Sequence, residues 1–358
     1  NGLDVEIKMI PQKDRHLALA SKSIQCAATT VETHVAWNAN GVPIVQIFQM
    51  DKSYGADGIA VRGYVNSFAD LKGKTIGVDA PGTAPSFGLA WLLSKNGMSL
   101  KDVKTTTLSP QAAAQAFVAG QNDAAMTYEP YLSTVRDNPA AGKILATTLD
   151  YPMVMDTVGC DPTWLKANAK AAQALANSYF QALDMIKADP TKSNEIMGAA
   201  VKQTGEQFAK SSSFLRWQDK AANQKFFAGE LTSFMKDATA ILLEVGIIRK
   251  APEDLSVTFD ASFIKYIDGR RALNVCCTTP VRYRANKTAK GHRAEALAGP
   301  AGACEQPIPL DAGAGLFRPV RGGVGVLHPG RLRIAHLPGQ PRHHGERRLA
   351  AVHRVRFY

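Results

Sequence analysis

Two short segments of this sequence set a hydroxyl and a carboxylate at the same interval: AATTVE at residues 27–32 and AAMTYE at residues 124–129. Laid over each other with an offset of 97, they match at Ala27/Ala124, Ala28/Ala125, Thr30/Thr127 and Glu32/Glu129. A Thr-x-Glu turn offers a hydroxyl and a carboxylate to a solute that carries N–H groups, and Tyr128 adds a ring that can stack or hydrogen-bond. The same residues serve equally as a helix cap and a first-turn carboxylate that satisfies the helix dipole. A third element is the loop in DAPGTAPSFG, residues 79–88, which leads into a helix whose first turn holds no carboxylate. Its first backbone N–H groups, from Ala84 onward, are left for Thr83 or Ser86 as caps, or for a ligand from outside. Asp156 completes the candidate set: Thr30, Glu32, Thr83, Ala84, Ser86, Tyr128, Glu129 and Asp156.

Other chemistries find little here. His34 follows Glu32 by two residues, a spacing that points side chains apart on a helix, so the two make no acid–base pair. No phosphate-cradling Gly-rich motif or nucleophile elbow is present. Of the five cysteines, Cys276 and Cys277 are adjacent and lack a second pair, so zinc spacing is absent and no metal or cofactor is expected. Cys26 and Cys160 are read as small buried residues rather than a disulfide.

The elements that must position these groups follow an α/β grammar. The strands VEIKMI, CAATT and VPIVQIF are separated by helices over DRHLALASKS and 31–40. After residue 70 the order resumes as KTIGV, helix 84–95, TTTL, helix 110–119 and DAAMTYEPYL. Ser109-Pro110 and Gly120 bracket the second of these helices as start and stop residues do. The pattern predicts α/β lobes with mostly parallel sheets, twice over. In such sheets ligands sit beyond the carboxyl ends of the strands, where the 82–86 loop and both Thr-x-Glu turns fall. Helices are expected from about residue 164 onward, around 164–190, 192–202 and 221–245, with Trp164, Phe180, Phe226 and Phe227 in the core.

Charge divides the chain in two. The net charge of +11 is concentrated in residues 269–358, which hold 16 of the 42 Lys+Arg and 4 of the 31 Asp+Glu; residues 1–268 carry −1. That tail is rich in Arg, Gly and Pro, lacks a sustained apolar period, and has no interleaved aromatics to suit a nucleic-acid arm. It reads as a disordered extension with the composition of GC-rich DNA translated out of frame, and no nucleic acid is expected as a partner. No run of 18 apolar residues occurs, so no membrane span is expected.

SFADLKGKTIGV, the GTAPSF loop, NGMSLKDV, AFVAGQNDAAMTYEPYLS and FDASFI together resemble the substrate-binding proteins of nitrate/sulfonate/taurine ABC importers, a group that includes thiamine-pyrimidine binders. The resemblance covers residues 1 to about 268. It implies a bilobal periplasmic-binding fold of the second type: lobe 1 from 1–58 and 158–268, lobe 2 from 59–157, crossings near 58–62 and 156–161, and a ligand cleft between the lobes. It also implies a monomer in the periplasm that captures one small solute and hands it to a membrane permease. Family members carry a further strand and helix before GLDVE, which this chain is expected to lack together with an export signal. A pyrimidine-synthesising enzyme branch shares the fold, but it relies on a cofactor lysine, a histidine and a cysteine-rich motif that residues 1–268 do not supply. For the solute, Glu32, Glu129 and Asp156 weigh against an anion, because uncompensated carboxylates beside a buried anion are costly. The expectation is a neutral or cationic nitrogen-bearing molecule, with sulfonates as the alternative.

Overall fold

The computed structural model describes residues 3–264 and 354–357. Five strands build one sheet: β4 (Asp57–Val61), β5 (Thr75–Val78), β6 (Lys104–Thr107), β7 (Ala124–Tyr128) and β8 (Lys143–Thr147), in the order β6-β5-β7-β4-β8. A second sheet takes β2 (Cys26–Thr30), β3 (Val45–Ser53), β9 (Met155–Cys160) and β10 (Leu215–Trp217) in the order β10-β3-β9-β2. A separate parallel pair joins β1 (Asp4–Ile7) to β11 (Arg354–Phe357). Apart from β11, the expectation of a disordered tail concerns residues outside those described, as do Cys276, Cys277 and Cys304.

The two lobes are there, but the expected parallel sheets need correction. Only β5 with β6 and β5 with β7 are parallel in the five-stranded sheet, and every pairing in the four-stranded sheet is antiparallel. The cause is the crossing of the chain between sheets. β3 hands over to β4 through residues 54–56, and β8 to β9 through 148–154, so β4 and β9 enter their new sheets from the far end and run against their neighbours. The crossings expected at 58–62 and 156–161 therefore fall on β4 and β9 themselves. The two passages are laced together: the Ser53 N–H donates to the Val154 carbonyl at 3.0 Å, and the Gly55 N–H to the Thr148 hydroxyl at 2.8 Å.

Local sequence explains the helices around the cleft. α1 (Gln12–Ala20) follows β1 after residues 8–11, α2 (Val31–Ala39) follows β2 directly, and α4 (Pro110–Val118) starts where the Ser109 hydroxyl accepts the Ala112 N–H. α3 (Ala84–Lys95) is apolar nearly all round because it is covered on two sides. One side lies on β7, where Gly88 is so close that a Cβ there would meet the Met126 methyl at 2.7 Å. On the other, Phe87 and Trp91 meet Phe234 of α11 (Leu231–Glu244) at ring-centroid distances of 6.4 and 5.6 Å. α11 also packs on α2, so one apolar core runs from Ile47 and Phe48 of β3 to Ile76 and Val78 of β5. Helices α5 (Tyr131–Arg136), α6 (Pro162–Ala167), α7 (Ala169–Ala188), α8 (Pro190–Ala200), α9 (Gly205–Ser212) and α10 (Lys220–Lys225) complete the described residues. Trp164, expected in the core, is only partly buried, whereas Phe180, Phe226 and Phe227 are buried. No helix among the described residues is long and apolar enough to cross a membrane.

A second correction concerns Cys26 and Cys160, which form a disulfide. The antiparallel register of β2 on β9 sets the two residues opposite each other, a juxtaposition fixed by pairing between segments 134 residues apart.

Candidate functional site

The carboxyl ends of β2, β5, β6 and β7 converge on a cavity of about 610 Å³, with the starts of β4 and β9 closing it from the crossings. Both lobes contribute to its wall. Gln12 and Arg15 of α1 and Thr29 and Thr30 of β2 come from one side. Asp57, Asp79, Ala84, Ser109, Tyr128 and Glu129 come from the other, with Asp156 on the returning β9. This is where open α/β sheets bind ligands.

Of the eight residues selected from sequence, five line the cavity: Thr30, Ala84, Tyr128, Glu129 and Asp156. Glu32 is set behind the wall, 1% exposed, with one oxygen accepting the Thr30 hydroxyl and the other, Oε2, without a hydrogen-bond partner. Thr83 is turned inward, its hydroxyl donating to the Ala80 carbonyl at 2.8 Å, and neither it nor Ser86 reaches the wall. The two Thr-x-Glu turns have diverged in use. Thr127 donates to the Pro110 carbonyl at 2.9 Å, and Glu129 accepts from Arg136 Nε at 3.1 Å and from the Ser133 N–H at 2.9 Å. Neither Thr30 nor Thr127 caps its helix through the side chain.

The opening of α3 is met from across the cleft. Gln12 accepts the Ala84 N–H through Oε1 at 3.2 Å, while its Nε2 donates to the hydroxyls of Thr29 at 3.0 Å and Thr33 at 3.2 Å. A single carboxamide thus ties α1, β2 and α2 to the N-terminus of α3. Sequence reasoning passed over Gln12, Arg15, Asp57 and Asp79. The signal was available for two of them: Gln12 and Arg15 sit one turn apart in the first helix after a strand, the same strand-to-helix junction that drew attention to the 82–86 loop.

Burial dominates the electrostatics. It raises the Asp57 carboxyl to about 7, against the Ser53 hydroxyl that favours the charge, with Asp156 and Glu129 adding to the rise. Burial likewise raises Asp156 to about 6, opposed by Arg15, lifts Asp51 well above its ordinary value, and raises Asp79 against the Ala80 N–H and Lys13. Arg15 acts on Asp156 through its charge, and its guanidinium is held by backbone: Nε donates to the Ile10 carbonyl at 3.0 Å and Nη1 to the Ala28 carbonyl at 2.9 Å. Tyr128 is raised by burial and stays a neutral donor and acceptor. The wall thus presents Asp57, Asp79 and Asp156 together with the cations Lys13 and Arg15, and among the described residues no group of three or more His, Cys, Asp and Glu could hold a metal ion.

Comparison with known proteins places this geometry. A family model described as NMT1/THI5 like matches residues 1–193. A protein of Brucella abortus (strain 2308), named for a proposed binding function, is 38% identical over 93 residues, 26% of this chain; the match spans 28% of that relative's length. The periplasmic aliphatic sulphonate binding protein SsuA from Escherichia coli superposes with a TM-score of 0.58 at 17% identity, over 69% of this chain and 84% of that one. A Candida albicans gene product described as having the generic periplasmic binding protein structural fold gives 0.55 at 16%, over 70% and 84%. At these identities the structural likeness shows the fold, which is the bilobal one expected from the sequence.

Proposed function

We propose, for a chain that belongs to the NMT1/THI5-like family, that it is the solute-binding component of an ABC importer and captures a small nitrogen-bearing molecule, neutral or cationic, between its lobes. The observation that carries the reading is that Asp57 of the five-stranded sheet and Asp156 of the four-stranded sheet line one cavity between the lobes. Burial raises the two carboxyls to about 7 and about 6, so an ammonium or amidine-like group would add to Arg15 in favouring their ionised forms, and an anion would add to the cost. Tyr128 offers a ring face and Thr30 a hydroxyl to the same solute. Glu129, already held by Arg136 and Ser133, orients the wall more than it awaits a ligand.

The closed loop of 134 residues held by Cys26–Cys160 supports an oxidising compartment, hence a periplasmic location, where a membrane permease would receive the solute from a monomeric carrier. Catalysis is not part of the reading. A second reading, sulfonate binding, is favoured by one observation: the N-terminus of α3 faces the cleft at Ala84, and Gln12 could yield it to an oxyanion.

A thermal-shift screen of the full chain separates the two. Aminopyrimidines, amides and amines are expected to raise the melting temperature, since a ligand that binds only the folded state stabilises it, and taurine, alkanesulfonates and nitrate are not. Asp57→Asn is expected to weaken the best nitrogenous binder by about 10- to 100-fold, the effect of losing a hydrogen bond to a charged group. A shift with sulfonates that survives Asp57→Asn would replace the first reading by the second.

A further inference from the structure

A second cavity, about 530 Å³, adjoins the cleft and differs from it in character. Four residues, Ala56, Tyr128, Glu129 and Leu215, border both. Beyond them an apolar stretch is formed by Pro130 and Tyr131 at the start of α5, Ala200 and Val201 at the end of α8, Phe208 of α9, and Met9 after β1, with Lys202, Gln203, Ser211 and Ser212 as the polar part of the lining. Glu129 does not make this chamber polar, because its carboxylate is 3% exposed and bound to Arg136. Met9 and Val201 stand 78% and 47% exposed, large apolar side chains left facing water. Two chambers thus meet along one border, one in which carboxylates and cations face each other and one with a substantial apolar stretch.

We propose that the solute is a two-part molecule, a nitrogen-bearing head seated by Asp57 and Asp156 and an alkyl or aryl tail that continues past Tyr128 into the chamber lined by Tyr131, Val201 and Phe208. The inference deepens the reading of the cleft and rests on it for the head group. The head supplies orientation, and the tail supplies affinity by covering apolar surface, roughly a fourfold gain for each buried methylene. Tyr128 is suited to the border because its hydroxyl serves the polar side and its ring the apolar one.

The test uses the full chain at pH 8 and a series of primary n-alkylamines from ethylamine to octylamine, with alkanesulfonates of the same lengths as a parallel series, each titrated by calorimetry. Affinity for the amines is expected to climb with each added carbon. Val201→Asp, at an exposed position that the fold can tolerate, and Phe208→Ser are each expected to flatten that climb. Asp57→Asn is expected to weaken every amine by a similar factor and leave the slope in place. Amines that bind with no dependence on length, or a slope untouched in Val201→Asp and Phe208→Ser, would overturn the tail chamber while the cleft reading stood. Sulfonates that bind with a climbing series while amines do not bind would overturn the two-part solute as stated, by removing its nitrogenous head.

Discussion

Removing the Cys26–Cys160 bridge, by reductant or in a Cys26→Ser/Cys160→Ser double variant, is expected to lower the stability of the folded chain by about 2–5 kcal/mol. For a domain of this size that corresponds to a fall in melting temperature of roughly 5–15 °C. The reasoning starts from topology. The bridge closes a loop of 134 residues that contains all of β3 to β8, and so the entire five-stranded sheet. In the unfolded chain the bridge holds the departure and return of that sheet together, removing conformational freedom that the reduced chain would have to surrender on folding. In the folded chain it joins residues that β2 and β9 already set face to face, and both cysteines are completely buried. Reduction should therefore require opening of the four-stranded sheet, and protection from reductant should track global stability. A melting temperature that is the same with and without the bridge would show that the lobe is held by its core alone.

How much of this could be read beforehand follows from the range of the interactions involved. Helix 84–95 and the strands CAATT and KTIGV were legible because caps, Gly/Pro punctuation and apolar period are local; α3 occupies Ala84–Lys95 and β2 Cys26–Thr30. β4, β8, β9 and β10 went unmarked, since nothing in these short runs says that the chain changes sheets beside β4 and β9. The disulfide and the direction of β4 and β9 depend on register between distant segments, which no local pattern encodes. The strand ends singled out from sequence border the cavity, while Glu32, Thr83 and Ser86 among the chosen side chains do not line it. Thr30 and Glu32 lie two residues apart on the strand-to-helix corner, and the turn that presents Thr30 to the cleft puts Glu32 behind it. Asp57 went unselected because its place in the cavity wall and its burial near Asp156, contributed by a strand 99 residues away, are set by distant pairing.

At pH 8, Glu32→Gln is expected to stabilise the unliganded protein by about 2–4 kcal/mol, and at pH 5 to leave its stability nearly unchanged. Burial raises the Glu32 carboxyl from the ordinary value of 4.5 to about 8, although the Thr30 hydroxyl favours the charged form, and Oε2 has no hydrogen-bond partner. The folded state therefore holds a proton that the unfolded state releases between pH 4.5 and 8. Because the folded state binds the extra proton, its stability is fully present below the unfolded value and is lost as pH rises through the folded one. Glutamine keeps the shape of the protonated acid and carries no proton to lose, so its advantage should appear only as pH climbs, and chemical denaturation at pH 5, 6.5 and 8 reads it directly. Asp57 and Asp156, raised to about 7 and about 6, tilt the parent protein the same way, which makes it less stable at pH 8 than at pH 5 in the absence of solute. A cationic head beside Asp57 and Asp156 reverses that slope, because it favours the ionised carboxylates and binds more tightly as they lose their protons. Unliganded stability and solute affinity should thus run in opposite directions with pH, and a flat or parallel pair of profiles would remove the carboxylates from the account of binding.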